Sequence, residues 1–254
     1  MSSPTAQPFA DRVAIVTGAG SGIGRATAIA LAKSGARVLG VGRRKGALEA
    51  TAREHPHIAV LPLDICADHA ADTVVSTAVE RWGRLDLLVN NAGTTAVMPL
   101  AETDRSVISY LFELNVTAPS LLAHAALPHL RESSGSIVNV SSTYGHRPLA
   151  GAAHYAATKS ALEQLTRSWA LELASEGVRV NAVAPGPTET DVLAAAGLPE
   201  DAIRELRASE RARIPTGRLG DPRDIADWIV RIADPQGPHV TGQVLTIDGG
   251  LELA

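Results

Sequence analysis

Tyr155 and Lys159 stand four residues apart in the stretch AAHYAATKSALEQL (152–165). The chain has only three tyrosines and three lysines, so two scarce residues are spent together here. On a helix, residues four apart share one face, about 6 Å along the axis. A phenol with an ordinary pKa near 10 is a poor base at neutral pH, and a cation held beside it stabilises the phenolate and lowers that pKa. The pair therefore points to proton exchange with a substrate oxygen. Ser142, at the end of a β-branched run, adds a neutral hydroxyl that can position the same oxygen. Tyr144, the rival phenol, has no lysine four residues on and lies in a Gly/Pro-bearing loop. Taken alone, Tyr155 and Lys159 also fit a surface helical pair, and Ser141 and Ser142 fit polar strand ends; only the combination specifies chemistry.

A second group of residues has the composition of a phosphate cradle. TGAGSGIG (17–24) follows the first β-branched run and leads into the helical stretch RATAIALAKSG. Glycines let the backbone approach a phosphate and turn sharply into a helix, whose N-terminal N–H groups favour an anion. The spacing Gly18-x-x-x-Gly22-x-Gly24 departs from the commonest G-x-G-x-x-G fingerprint, so the strand before and the helix after carry the reading against a ligand-free turn. Asp64 in LPLDIC and the NNAG at 90–93 fall where later strands reach the carboxyl edge of a sheet, the edge at which open α/β sheets bind ligands. Asp64 alone fits an adenine contact and a solvated cap equally.

Seven short apolar runs must position these groups, at 12–17, 36–41, 58–63, 85–90, 135–142, 178–185 and 243–248. Most are apolar on both alternations, which marks strands buried on both faces, and the stretches between them supply crossover helices. The expected fold is a single-domain α/β, Rossmann-like doubly wound parallel sheet of seven strands over 1–254. Two of the helices look long, at 104–127 and 152–176, and a last one opens at Asp221 as N-cap with Pro222 at its first position. No strand appears between Pro187 and Gly220, so 187–220 is expected to be a substrate lid. The 45 % apolar content with only 3 % aromatic residues suits aliphatic helices packed on such a sheet.

The net charge of −4 and the lack of basic runs beyond Arg43-Arg44 exclude a nucleic-acid footprint. Cys66 is the only cysteine and the histidines lack ligand spacing, so neither a disulfide nor a metal site is expected. No 18-residue apolar run and no leader-like start is present, which predicts a soluble cytoplasmic protein without membrane contact.

With the glycine loop at 17–24, NNAG at 90–93, Asn115, Ser142, the Tyr155-x-x-x-Lys159 pair and Pro185-Gly186 all in order, the sequence resembles the short-chain dehydrogenases/reductases over roughly 10–250. The resemblance implies that Tyr155 is the acid/base, that Ser142 orients the substrate oxygen, and that Lys159 holds the nicotinamide ribose while depressing the Tyr155 pKa. Asn115 would anchor a proton-relaying water. A nicotinamide dinucleotide would lie along Gly18, Ser21, Gly22, Ile23 and Gly24, meet adenine at Asp64 and Ile65, and pass Asn91, Ala92 and Gly93, with Asn90 also on the ribose side. Pro185, Gly186, Thr188 and Thr190 would hold its carboxamide end.

The implied reaction is hydride transfer between the nicotinamide and a ketone or secondary alcohol, in a pocket drawn from Thr94, Thr95, Val97, His146, Pro148, Leu149, Pro187, Val192 and Leu193. Gly42 ends the second strand where NAD-users place a carboxylate, and Arg43 and Arg44 follow it, which favours NADP while leaving NAD usable. Two alternatives stand beside a ketoreductase: a 3-oxoacyl-[acyl-carrier-protein] reductase, for which Arg131 and the lid arginines 204, 207, 211 and 213 supply basicity, and a non-catalytic dinucleotide sensor. The long Ala-rich helices and the carboxyl-terminal segment imply a homotetramer.

Overall fold

Each of the seven apolar runs forms a strand in the computed structural model, which describes residues 7–237 and 239–254 and all their side chains except that of Ala195. The strands are β1 Val13–Thr17, β2 Arg37–Gly42, β3 Ile58–Pro62, β4 Leu87–Asn90, β5 Ser136–Val140, β6 Arg179–Pro185 and β7 Val244–Ile247. They pair in parallel in the order β3-β2-β1-β4-β5-β6-β7. Every residue of β1, β4, β5 and β6 is buried, as the two-sided apolar runs require, while the edge strand β7 is half-exposed throughout.

Helices cover both faces. The helices α1 Gly22–Lys33, α2 Lys45–Ala52, α3 Ala70–Trp82, α4 Arg105–Phe112, α5 Ala118–Ser133, α6 Ala153–Leu173, α7 Val192–Ala195, α8 Glu200–Arg213 and α9 Pro222–Ala233 follow in chain order. On one face Leu31 of α1 and Ile225 and Ile229 of α9 pack on Val16, Leu87 and Val138. On the other, Val74 of α3, Leu122 and Leu130 of α5 and Leu173 of α6 pack on Ile15, Leu88 and Ile137. Alternate residues of each strand thus serve opposite cores. The winding reverses between β1 and β4, so their carboxyl ends open a crevice.

One expectation about helices needs correction. The stretch 104–127 is not one helix: α4 and α5 are separated by a π-turn at Glu113–Thr117, and α5 runs on to Ser133 with Pro128 inside it. The widened turn accommodates Asn115, whose buried amide bonds leave the helix for other elements. The segment 187–220 carries two helices, α7 and α8, and is tied at its ends by a bridge between Thr188 and Gly220. Asp221 caps α9 as the sequence predicts, with a full capping box to Asp224. No described helix is long and apolar enough to cross a membrane.

Candidate active site

The crevice at the carboxyl edge of the sheet is a cleft of about 760 Å³. Gly18, Ser21, Gly22, Ile23 and Gly24 line it, as do Arg43, Arg44, Asp64 and Ile65. So do Asn91, Ala92, Gly93, Pro185, Gly186, Thr188 and Thr190, and Ser142, Tyr155 and Lys159. Asn115 stands behind the wall, 1 % exposed.

The glycine loop is held from below. Thr17 Oγ1 accepts the backbone N–H groups of Asn91 and Ala92, both at 3.0 Å, and Asn91 Nδ2 returns a bond to Thr17 O at 2.8 Å. That clamp brings Asn91 so close to the loop that a Cβ at Gly24 would lie 2.4 Å from both its Nδ2 and Gly18 O. Gly22, at φ +51°, turns the chain into α1. Ser21 is the N-cap of α1 but its side chain makes no capping bond, so the first-turn N–H groups face the cleft without a side-chain acceptor. Free N–H donors at a helix start, reached through glycines too tightly packed for side chains, fit a dinucleotide pyrophosphate.

Beside this loop, Arg44 Nη2 donates to Ser21 Oγ at 2.9 Å and Arg43 Nη1 to the Tyr110 hydroxyl at 3.3 Å. Gly42 has only the Leu48 methyl near its missing Cβ, so no acidic group stands at the end of β2. Asp64 lines the cleft and accepts the N–H of Cys66 at 3.1 Å.

At the other end, β5 stops at Val140 and a short 3-10 turn at Thr143–Gly145 follows. Ser142 Oγ accepts the N–H of Tyr144 at 3.2 Å, which leaves its own proton for the Tyr155 oxygen. Lys159 lies one turn below Tyr155 on α6 and donates from Nζ to Val140 O at 2.9 Å, with the ammonium 5.9 Å from the Tyr155 ring centre. Burial lowers the Lys159 pKa to about 8. Burial also raises Tyr155 above its ordinary 10; the hydrogen bond from Ser142 opposes the rise and the Tyr144 phenol adds to it. Lys159 is not among the groups that set the Tyr155 pKa here; its ammonium is turned to Val140 O.

Asn115 is fixed in the π-turn by three bonds of 3.0 Å, accepting from Thr94 N and donating to Thr94 O and Thr158 Oγ1. It ties the NNAG loop to the helix that carries Tyr155 and Lys159. Asn90 does not face the cleft. Strand alternation turns it inward, where Nδ2 donates to Asn139 Oδ1 at 3.0 Å and Asn139 in turn reaches Thr166. His146 and Pro148 also stay out of the cleft lining. His146 bridges two carboxylates, Glu163 at 3.0 Å and Glu252 at 2.8 Å, and they hold its pKa up against the opposing effect of burial.

A family model described as enoyl-(acyl carrier protein) reductase matches residues 18–252. A solved short-chain dehydrogenase/reductase of Caenorhabditis elegans, determined with cofactor, superimposes with a TM-score of 0.91 at 34 % identity over 97 % of both chains. This chain belongs to the short-chain dehydrogenase/reductase family. The dehydrogenase/reductase is 39 % identical over 249 residues to cis-4-hydroxycyclohexanecarboxylate dehydrogenase of Sinomonas cyclohexanicum, covering 96 % of this chain and 98 % of that one. It is 36 % identical over 251 residues to the 3-oxoacyl-[acyl-carrier-protein] reductase of Thermotoga maritima, over 95 % and 98 % of the two chains. A 3-ketoacyl-(acyl-carrier-protein) reductase of Brucella melitensis, solved with NADH, superimposes with a TM-score of 0.88 at 32 % identity, over 96 % and 99 %. It is thus an oxidoreductase with a nicotinamide cofactor.

Sequence reasoning missed several residues of this short-chain dehydrogenase/reductase that shape the site. Tyr144 lines the cleft rather than an outer loop, and so do Leu206, Ser209, Glu210 and Arg213 of α8. The recurrence 206, 209/210, 213 is a helical face and was readable as one, but its polar members gave no sign of which way it points. Thr17, Thr158 and Val140, the partners of Asn91, Asn115 and Lys159, carry no motif that marks them.

Proposed function

We propose that this short-chain dehydrogenase/reductase is an NADPH-dependent ketoreductase, with Tyr155 as proton donor to the carbonyl oxygen. The observation that carries the reading is the convergence of Ser142, Tyr155 and Lys159 on one cleft continuous with the glycine loop. When bound, the nicotinamide supplies the hydride. The chain's own residues supply the proton and the positioning. Ser142, oriented by the Tyr144 N–H, shares the Tyr155 oxygen and is placed to hold the substrate oxygen beside it. A Tyr155 pKa raised by burial keeps the phenol protonated at neutral pH, which suits reduction over oxidation. Lys159 keeps two of its three donors after the bond to Val140 O, enough for a ribose diol. Asn115 holds the Thr94 backbone and Thr158 in register rather than touching substrate.

NADP preference rests on the missing carboxylate at Gly42 and on Arg43 and Arg44, which form no ion pair among the described residues and can fork onto a 2′-phosphate. We read 187–220 as a lid hinged at the Thr188–Gly220 bridge. We also read the molecule as a cytoplasmic homotetramer, built through the Ala-rich helices, on which Phe112, Leu121 and Leu171 are exposed, and through the carboxyl-terminal segment.

The relatives also permit reduction of an acyl-carrier thioester, but of the basic residues that would greet an acidic carrier all except Arg213, which lines the cleft, are engaged. Arg131 pairs with Glu176, Arg204 with Glu200 and Arg211 with Glu189. NADPH oxidation measured against a panel of small ketones and a 3-oxoacyl thioester tests both readings. Turnover of the ketones, abolished in Tyr155→Phe while NADPH still binds, is the expected result. Turnover of the thioester alone favours the second reading, and a Tyr155→Phe variant within a few-fold of wild type removes Tyr155 from the chemistry.

A further inference from the structure

The cleft is larger than its dinucleotide cradle, and part of its lining comes from α8. Apolar residues there include Val97, Leu149, Val192 and Leu206. Among them stand three polar side chains, Tyr144, Glu210 and Arg213. Glu210 and Arg213 are three apart on α8 and so point the same way. Both act electrostatically on Tyr144, Glu210 raising its pKa and Arg213 lowering it, and Arg213 also acts on Glu210. The three are one cluster, with Tyr144 two residues past Ser142.

What sets the cluster apart is its lack of partners. Among the described residues, the side chains of Tyr144, Glu210 and Arg213 make neither hydrogen bond nor ion pair within 4 Å. The neighbouring arginines of α8 are engaged: Arg204 with Glu200 at 3.8 Å, Arg211 with Glu189 at 3.9 Å, and Arg207 on Thr190 O at 2.8 Å. Glu210 is half-buried and Arg213 exposed at the cleft, so in the free protein water meets both, and their polar atoms are free of protein partners to take a group that enters the cleft.

The chemistry of that group follows from the donor inventory. An ionised carboxylate only accepts, a guanidinium only donates, and a phenol does both. A hydroxyl can donate to Glu210 and accept from Arg213 or Tyr144 at once. A substrate carboxylate would satisfy Arg213 but be repelled by Glu210, and an alkyl group would bury all three unpaired. We propose that the substrate carries a second hydroxyl away from its reacting carbon, bound by Glu210, Arg213 and Tyr144, so that the substrate class is hydroxylated ketones rather than simple ones. This rests on the reading of Tyr155 as proton donor above.

The test is kcat/KM with NADPH for cyclohexanone, its hydroxylated isomers and its carboxylated isomers, in wild type, Glu210→Gln, Arg213→Met and Arg204→Ala. Wild type should prefer at least one hydroxylated isomer over the parent ketone by roughly ten- to a hundred-fold, the span of hydrogen bonds to charged groups. Glu210→Gln and Arg213→Met should bring that ratio toward one, mainly through KM. Arg204→Ala, on the solvent side of the same helix, should leave the ratio as it is. Equal use of the parent ketone, preference for a carboxylated isomer, or a ratio untouched by both cleft variants overturns the proposal. A panel that binds beside NADPH and is nowhere turned over overturns the ketoreductase reading itself, and this one with it.

Discussion

Replacing Lys159 with methionine should make the protein more stable at neutral pH while disabling it. Lys159 is 6 % exposed, and burial has taken its pKa from 10.5 to about 8. At about 1.4 kcal/mol per tenfold change in protonation, keeping that ammonium charged at pH 7 costs roughly 3 kcal/mol. Methionine fills a similar volume without charge. The variant leaves Val140 O without the 2.9 Å bond from Nζ, a loss of about 1 kcal/mol. The net gain is about 2 kcal/mol, or roughly 4–8 °C in Tm for a chain of this size. The pH dependence gives the sharper test. Because the folded-state pKa lies below the unfolded one, the native lysine loses its proton first, and wild-type stability rises as the pH climbs from about 8 to 10.5. The advantage of the variant should therefore be full below pH 8 and shrink across that window. Thermal and urea unfolding of both proteins from pH 6 to 11 measure the difference, in which groups common to both cancel. A variant that melts below wild type at pH 7, or a gap that does not narrow by pH 10.5, refutes the reasoning.

Cofactor choice should move with the end of β2: wild type should show a higher kcat/KM with NADPH than with NADH, and Gly42→Asp with Arg43→Ile should reverse the order. An equal or higher NADH value in wild type means that Gly42 and Arg43 do not set the choice. Reduction should hold through neutral pH and fall above about pH 8, as Lys159 loses its proton while Tyr155 keeps its own. A kcat/KM for reduction that climbs between pH 8 and 10 would contradict this order of titration. Asp221→Ala removes a capping box from α9 and should cost about 1 kcal/mol, read as a drop of roughly 2–4 °C in Tm with little change in turnover.

The sequence by itself determined the strands, the winding and the order of the motifs. Six of the seven strands fall within the apolar runs, because burial on both faces leaves a local, continuous signature in β1, β4, β5 and β6, and β2 overruns its own by one residue, at Gly42. The glycine loop, the NNAG turn and the Tyr155–Lys159 spacing are equally local, and the fold brings them to one sheet edge. Tertiary structure decided what depends on distant neighbours. Helical periodicity runs straight through 104–127, and only the demand of Thr94 and Thr158 for the Asn115 amide shows where the π-turn interrupts it. Asn90 and Asn91 are adjacent and chemically identical, yet strand alternation sends one into the core and leaves the other at the loop. The arginines of α8 read only as basicity in the lid; which of them reach Glu189 or Thr190, and which turn to the cleft, is fixed by how that helix lies on the sheet edge. The direction of the Tyr155 pKa is the clearest case. A spacing of four residues sets the lysine on the phenol's face of the helix, but the fold turns its ammonium to Val140 O, and desolvation, a sum over non-local atoms, raises the Tyr155 pKa.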